Sequence, residues 1–347
     1  MTTCIDVAVR PYVATVDEIR PYLPRAWQDV RLPVPWRTRY PLPVEKDAVG
    51  DPLSPATAAR VLLEDGGAEY AVLIPPTMGL QPDPELGGAV AAAVNEWLAL
   101  NWLEEPAAGG RFKGSIRIDP RSMDRSIAEI ERWGNDPRFV QVAIPLRGHL
   151  PYGDVRYWPI WEAAGEYGLP VAIDADPGGA GVEYPPTMTG WPATFTEYVT
   201  MDAWNAAGHV ASLVCQGAFE RFPNLVVVVV TGAFDVAATL MWRVDKEWAQ
   251  NRIEVPWVER RPTDYVADHV RYVLHVSDGP RDAAAFGELI DLTASSGLLM
   301  FGSRYPGWEY EPAIEARERL GDGIREPIMR TTAAKTYALE SRVEAQA

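Results

Sequence analysis

The stretch LLMFGSRYP, residues 298–306, is an unbroken apolar run followed by glycine, serine and arginine. A short run of this kind predicts a strand buried on both faces, as in a parallel sheet. Arg304 comes directly after the run, at the carboxyl end of the predicted strand. Barrel enzymes place their catalytic and binding side chains at these ends. A cation there is therefore the first candidate site residue.

Seven further short runs have the same apolar character, and segments with apolar residues at helical spacing separate many of them. The runs are Cys4–Val9, Ala71–Ile74, Gly114–Ile118, Phe139–Ile144, Pro170–Ile173, Leu225–Val230 and Val270–Val276. The helical segments are Ala89–Trp102, Met123–Trp133, Tyr157–Tyr167, Met201–Phe222 and Phe234–Trp248. Alternation of this kind predicts a (β/α)8 TIM barrel, with residues 1–347 as one domain. A doubly wound sheet is the alternative, but no glycine-rich phosphate-binding turn follows the first run.

Two segments interrupt the alternation. Residues 24–60 are rich in proline and arginine without a clear period, which predicts an insertion after strand 1. Residues 175–200 are rich in glycine, proline and threonine, which predicts a long loop over the mouth of the barrel after strand 5. We use "mouth" for the carboxyl ends of the strands.

The bulk composition excludes several classes of partner. The chain has 347 residues and a formal net charge of −16, with no cluster of basic residues. A groove for nucleic acid or a surface for anionic membranes needs clustered lysine and arginine. Two cysteines far apart do not make a disulfide framework, and no signal peptide or membrane span is visible. We therefore expect a cytoplasmic protein that binds neither nucleic acid nor membrane.

The ends of the predicted strands provide the candidate site residues. They are Arg10, Asp119, Asp174, Thr231, His275 and Arg304. Asp174 is expected to form an ion pair or act as a general base, and His275 is a candidate acid–base residue. Arg10 and Arg304 are expected either to fill the site or to bind an anionic ligand, because a guanidinium group holds carboxylates at two points. Trp191 and Trp308 are candidates for the wall of a ligand pocket.

Several long stretches carry a family resemblance. They are PIWEAAGEYGLPVAI at 159–173, ASLVCQGAFERFPN at 211–224, 232–248, VPWVERR at 255–261 and 298–308. In these stretches the chain resembles the amidohydrolase-related (amidohydrolase 2) family, which includes aminocarboxymuconate-semialdehyde decarboxylase. The resemblance covers nearly the whole chain. It implies a metal-dependent barrel and a dimeric assembly.

The metal ligands that the resemblance implies are replaced in this chain. Ala8 and Arg10 stand where the first strand usually ends Asp-x-His or His-x-His, and Asp174 replaces a histidine after strand 5. Thr231 replaces a histidine or glutamate after strand 6, and Arg304 replaces the aspartate after strand 8. A catalytic zinc site needs about three protein ligands. We therefore predict no metal and no other cofactor, and we expect Asp174 to pair with Arg304, directly or through Arg10, in the former metal cavity.

Three functions remain open at this point. The first is a non-catalytic or accessory subunit that pairs with an active, metal-bearing paralogue. The second is a metal-independent hydrolase or carboxy-lyase that acts on a small anionic substrate, such as an aromatic or unsaturated acid. The third is a small-molecule binding protein. The expected partners are a second copy of the chain or a related amidohydrolase barrel, together with a possible small anionic ligand.

Overall fold

A computed structural model of the chain describes residues 3–13, 15–32, 54–78, 81–175, 187–293, 295–307 and 309–339. Eight strands form one sheet in the order of the sequence, and every neighbouring pair is parallel. They are β1 (Cys4–Val9), β2 (Ala68–Leu73), β3 (Phe112–Arg117), β4 (Phe139–Pro145), β5 (Val171–Asp174), β6 (Val227–Val229), β7 (Val270–Leu274) and β8 (Leu299–Phe301). The predicted (β/α)8 barrel is confirmed.

The barrel is nearly closed where its first and last strands meet. The backbone amide of Arg304 donates to the carbonyl oxygen of Ala8 at 2.9 Å, and that of Arg10 donates to the carbonyl oxygen of Tyr305 at 2.8 Å. The buried carboxylate of Asp6 adds a side-chain link, because its Oδ1 accepts the amide of Ser303 at 2.9 Å. These bonds bring the ends of β1 and β8 together, so that the backbones of Arg10 and Arg304 are neighbours at the mouth.

Helices connect the strands and follow the last one. They are α1 (Pro55–Ala58), α2 (Pro84–Asn101), α3 (Met123–Trp133), α4 (Trp158–Glu166), α5 (Phe195–Thr200), α6 (Asp202–Cys215), α7 (Ala218–Arg221), α8 (Phe234–Asn251), α9 (Pro262–His269), α10 (Ala283–Leu292), α11 (Ala313–Arg319), α12 (Asp322–Glu326) and α13 (Thr332–Tyr337). Wider π-helical turns follow α1 (Ala59–Asp65) and precede α13 (Pro327–Thr331). None of the described helices is both long enough and apolar enough to cross a membrane.

The single helix predicted over 201–222 is divided into α6 and α7. Gly217 lies between them with a φ of 75°, a left-handed conformation that glycine adopts without steric cost. A Cβ atom at this position would lie 2.6 Å from the indole ring of Trp257, so a larger residue would also collide there. The periodicity of the apolar residues continues across the break, which is why the sequence pattern did not show it.

The two predicted insertions are described only in part. The described residues of 24–60 include a short 3-10 turn (Arg25–Trp27) and α1. The described residues of 175–200 include α5, which lies at the mouth and leads into α6. Residues 33–53 and 176–186 lie outside the described part of the chain, so the extent of both insertions stays a prediction.

The interior of the barrel is filled by small and β-branched side chains from alternating strand positions. They include Ile5, Val7, Val72, Val140, Ala172, Val228, Val273 and Met300. Helix α13 packs against this cluster, and the Tyr337 hydroxyl donates to Oε1 of Gln141 at 2.9 Å. The amide of Gln141 in turn donates to Ser115 at 2.8 Å. The filled interior leaves the mouth as the place for a ligand.

Candidate functional site

A cavity of about 600 Å³ lies at the mouth, as the sequence predicts for a barrel of this kind. We call it the mouth cavity. Strand ends and the following loops contribute Arg10, Thr231, His275, Asp278, Arg304 and Glu309 to its lining. Helices α5, α6 and α8 contribute Phe195, Tyr198, Asp202, Trp204 and Phe234. The cavity therefore combines charged groups at the strand ends with aromatic walls from the helices.

Asp174, the last residue of β5, is held by two arginines. Its Oδ1 accepts a hydrogen bond from Nη2 of Arg10 at 3.0 Å, and its Oδ2 accepts one from Nη2 of Arg117 at 3.0 Å. Arg117 is 1% exposed and also donates through Nε to the carbonyl oxygen of Pro75 at 2.9 Å. Two guanidinium groups therefore face one carboxylate, and Arg10 also acts electrostatically on the carboxylate of Asp202. We call these three residues the Arg10–Asp174–Arg117 cluster.

The expected direct pair between Asp174 and Arg304 is wrong. Arg304 donates instead to Oε2 of Glu309 at 2.6 Å and to Oδ2 of Asp278 at 3.3 Å. These two acids come from the loops after β8 and β7, next to Arg304, whereas Asp174 lies three strands away on β5. Asp174 pairs instead with Arg117 on β3, a nearer cation that the sequence interpretation did not include. The expected pair with Arg10 is present.

His275 is engaged with the loop that follows β8. Its Nε2 lies 2.5 Å from the carbonyl oxygen of Glu309, so this nitrogen must carry the hydrogen that it donates. Its Nδ1 lies 3.7 Å from Oδ1 of Asp278, and Glu311 lies 3.7 Å from Nε2. Glu311 also accepts the backbone amide of Val276 at 2.7 Å. The geometry gives His275 the task of positioning this loop, and a role for it in catalysis stays a hypothesis.

Arg304 adopts a backbone conformation that disfavours residues with a Cβ atom, because its φ is 58°. Replacing it by alanine or by glycine removes the same two ion pairs, but glycine relieves the backbone conformation. We expect the Arg304→Gly variant to be more stable than Arg304→Ala by about 1 kcal/mol. Urea denaturation of both variants at one pH measures the difference. Equal midpoints and slopes would show that the backbone at Arg304 relaxes when the ion pairs are lost.

Asp202 is a site residue that the sequence interpretation missed. It is the first residue of α6, is 9% exposed, lines the mouth cavity and forms a short ion pair with Nη2 of Arg147. The guanidinium group of Arg147 lies 4.2 Å from the centre of the Tyr198 ring. Burial raises the pKa of Asp202 to about 6, although the positive charges of Arg147 and Arg10 oppose that rise. From sequence alone, an aspartate at the start of a helix is interpreted as a residue that caps the helix. No sequence pattern therefore indicated that Asp202 lies in the cavity.

The other predicted site residues differ in their placement. Thr231 lines the mouth cavity, and its buried Oγ1 has no hydrogen-bond partner within the described part of the chain. Asp119 pairs with Arg121 at 2.7 Å and is not among the cavity residues. Trp191 is 66% exposed and also lies outside the lining. Trp308 lies outside the described residues. Phe195, Tyr198 and Trp204 supply the aromatic wall that was expected from Trp191 and Trp308.

The residues at the former metal positions do not fit a divalent metal ion. Ala8, Arg10, Thr231 and Arg304 offer no ligand of the kind that zinc or manganese prefers at neutral pH. Both oxygens of Asp174 accept hydrogen bonds from cationic groups, which would repel a further cation. Across the described ranges, no group of three His, Cys, Asp or Glu side chains could hold a metal ion. That the protein binds no metal stays a prediction.

Comparison with known proteins places the chain among barrels of one family. The family model described as amidohydrolase matches residues 32–339. No curated protein matches the chain. The solved structure of an amidohydrolase from Mycobacterium avium subsp. paratuberculosis K-10 is similar, with 17% sequence identity and a TM-score of 0.74. The comparison covers 96% of this chain and 97% of that chain.

Two further solved structures are decarboxylases. The 5-carboxyvanillate decarboxylase from Sphingomonas paucimobilis is 19% identical with a TM-score of 0.66, covering 97% of this chain and 99% of its own. The dihydroxybenzoic acid decarboxylase from Polaromonas sp. JS666, solved with bound manganese and 2-nitroresorcinol, is 18% identical with a TM-score of 0.65 and covers 98% of both chains. At these identities the likeness shows the barrel fold alone.

Proposed function

The chain belongs to the amidohydrolase family, and from that premise we propose that its mouth cavity binds a small carboxylic acid without a metal ion. The observation that carries the proposal is the Arg10–Asp174–Arg117 cluster, which puts two guanidinium groups around one carboxylate where the family resemblance implies metal ligands. Arg10 belongs both to this cluster and to the lining of the mouth cavity. A ligand carboxylate in the cavity would be a second anionic partner for the Arg10 guanidinium group.

Arg10 is the better anchor for the carboxylate, although Arg304 was expected to share this role. Arg304 already faces two carboxylates, Asp278 and Glu309, so that side of the cavity carries excess negative charge. A guanidinium group binds a carboxylate through two parallel hydrogen bonds, and its attraction strengthens in a partly buried site. The Arg10 side chain is 17% exposed, which leaves it within reach of a ligand.

The rest of the cavity favours an aromatic acid. Phe195, Tyr198, Trp204 and Phe234 offer flat apolar surface to a ring. Decarboxylases of aromatic acids among the solved relatives favour a carboxy-lyase reaction over hydrolysis, although they share only the fold with this chain. The proposed reaction class is thus a metal-independent carboxy-lyase acting on a small aromatic acid.

Isothermal titration with 2,6-dihydroxybenzoate in the presence of EDTA tests the proposal. We expect the wild-type protein to bind this acid, and resorcinol, which lacks the carboxylate, to bind more weakly. The Arg10→Met variant should lose at least about tenfold in affinity, because a hydrogen-bonded ion pair to the ligand is removed. Arg121→Met is the matched control, since Arg121 also pairs with an aspartate but does not line the cavity.

Two results would overturn the proposal. One is binding that appears only when Mn²⁺ or Zn²⁺ is added. The other is an affinity that Arg10→Met and Arg121→Met leave equally unchanged.

A second candidate function is an accessory subunit that pairs with a related, metal-bearing barrel. The observation that favours it is the exposed apolar surface near the mouth, where Met188 is 67% exposed, Trp191 66% and Trp204 46%. Exposed apolar patches of this kind mark interaction surfaces. In this case the Arg10–Asp174–Arg117 cluster only fills the former metal cavity. The same titration separates the two candidates, because a cluster that only fills the former metal cavity gives the acid no anchor, so the acid would bind no more tightly than resorcinol.

A further inference from the structure

Asp202 and Arg10 face the same cavity from opposite elements. Asp202 begins α6, whereas Arg10 follows β1, and both line the cavity together with Glu309. Asp202 is nearly inaccessible to solvent, and its carboxylate is held by Arg147, whose guanidinium group is in turn packed on Tyr198. The carboxyl group is therefore fixed in the cavity that Arg10 also lines, near enough to Arg10 for the guanidinium charge to lower its pKa.

We propose that Asp202 is the proton-holding acid of the mouth cavity, and that it takes up a proton when a carboxylic acid anion binds at Arg10. The inference rests on the proposed function, because it needs a carboxylate ligand at Arg10. It goes further in naming the residue that carries the proton. Asp202, and not His275, is assigned this task, because both ring nitrogens of His275 face the surrounding loops. Its Nε2 donates to the carbonyl oxygen of Glu309, and its Nδ1 lies 3.7 Å from Oδ1 of Asp278.

The charges around Asp202 determine the direction of the effect. Arg147, from the connection after β4, and Arg10 lower its pKa, whereas Glu309 raises it; Tyr198 on α5 packs against Arg147. A bound carboxylate would neutralise Arg10 and add a negative charge to the same cavity. Both changes disfavour the ionised form of Asp202 and raise its pKa further above about 6. Binding is therefore coupled to proton uptake, and the affinity falls as pH rises above neutrality.

In a decarboxylation the bond between the ring carbon and the carboxylate breaks, CO₂ leaves, and a proton from an acid takes its place on the ring carbon. The coupling would supply the held carboxylate and the acid, and Asp202 would be left as a carboxylate. Arg10 would hold the substrate carboxylate, and a protonated carboxyl group would lie within the same partly closed cavity. No metal ion takes part in this arrangement.

Isothermal titration of 2,6-dihydroxybenzoate in two buffers of different ionisation enthalpy, phosphate and Tris, measures the proton uptake. With a pKa of about 6, free Asp202 is protonated in about a tenth of the molecules at pH 7. We expect the wild-type protein to take up about 0.5–0.9 proton per bound ligand at pH 7. The Asp202→Asn variant should still bind the acid, but with uptake near zero and an affinity that no longer falls between pH 7 and pH 8.

Asp136→Asn is the matched control. Asp136 also pairs with an arginine, Arg138, but it precedes β4 and does not line the cavity, so this variant should keep the wild-type proton uptake. Ligand binding by the wild-type protein without proton uptake would overturn the inference and leave the proposed function intact. Uptake that persists unchanged in Asp202→Asn would do the same. If the wild-type protein does not bind the acid at all, the proposed function fails and this inference fails with it.

Discussion

Replacing Asp174 by alanine is expected to lower the free energy of unfolding by about 3–5 kcal/mol. The substitution leaves Arg117, which is 1% exposed, with an uncompensated charge inside the barrel, and it removes one anionic partner of Arg10. Removing one member of a buried ion pair costs far more than the pair itself contributes, because the remaining charge stays desolvated. Urea denaturation at neutral pH, followed by circular dichroism and tryptophan fluorescence, measures the loss.

The double variant Asp174→Ala, Arg117→Met separates the cost of the buried charge from that of the cavity. Methionine fills much of the volume of the arginine side chain without its charge. We expect the double variant to lose at least about 1 kcal/mol less free energy of unfolding than the sum of the losses in the two single variants. The effects of substituting residues in direct contact are not additive. A loss of less than about 1 kcal/mol in Asp174→Ala would show that water or an ion reaches the arginines.

The strands of this barrel were predictable because a strand buried on both faces appears in the sequence as a short, continuous apolar run. Cys4–Val9 was predicted with the bounds that the structure shows, and β4 differs from its prediction by one residue. The helices before β7 and β8, α9 and α10, were not predicted. Helix α9 has only eight residues, and its short apolar pattern is too brief to separate from a loop. Long periodic segments carry a stronger signal.

The site was predictable where it follows the strand-end rule and not elsewhere. That rule identified Arg10, Asp174 and Arg304, but the predicted third strand ran to Ile118, so the rule selected Asp119 and not Arg117, the residue that ends β3. A signal for Arg117 did exist in the alternation of the strand. Ile116 and Ile118 belong to the layer between sheet and helices, so the residue between them points into the barrel. An arginine at an inward position predicts an ion pair with a residue of another strand.

The structure also shows why charge reversal at Arg304 did not bring it to Asp174. A long side chain can cross part of a barrel, but a carboxylate in the next loop is reached at a smaller cost in side-chain entropy. Glu309 lies five residues further along the chain, and Asp278 lies in the loop after the neighbouring strand β7. Partner choice of this kind depends on loop geometry, which residue types alone do not specify.

Asn95 supports the Arg10–Asp174–Arg117 cluster from outside the barrel, and its replacement by alanine is expected to lower the free energy of unfolding by about 3 kcal/mol. The fully buried side chain accepts the backbone amide of Arg117 at 2.7 Å and donates to the carbonyl oxygen of Arg117 at 2.9 Å. It also donates to Oε2 of Glu129 at 2.9 Å. Alanine removes the Asn95 amide as a hydrogen-bond partner of the Arg117 backbone and the Glu129 carboxylate, which are buried. The loss of a hydrogen-bond partner costs a buried polar group about 1–3 kcal/mol.

Urea denaturation of Asn95→Ala beside Asn101→Ala tests this prediction on a single helix. Both residues lie on α2, but Asn101 is exposed and donates to the carbonyl oxygen of Trp97 and to the Tyr22 hydroxyl. Its replacement should change stability by less than about 1 kcal/mol, since water replaces its hydrogen bonds. A loss in Asn95→Ala as small as that in Asn101→Ala would mean that α2 tolerates the loss of the buried amide, and that β3 and Asp174 hold Arg117 without it.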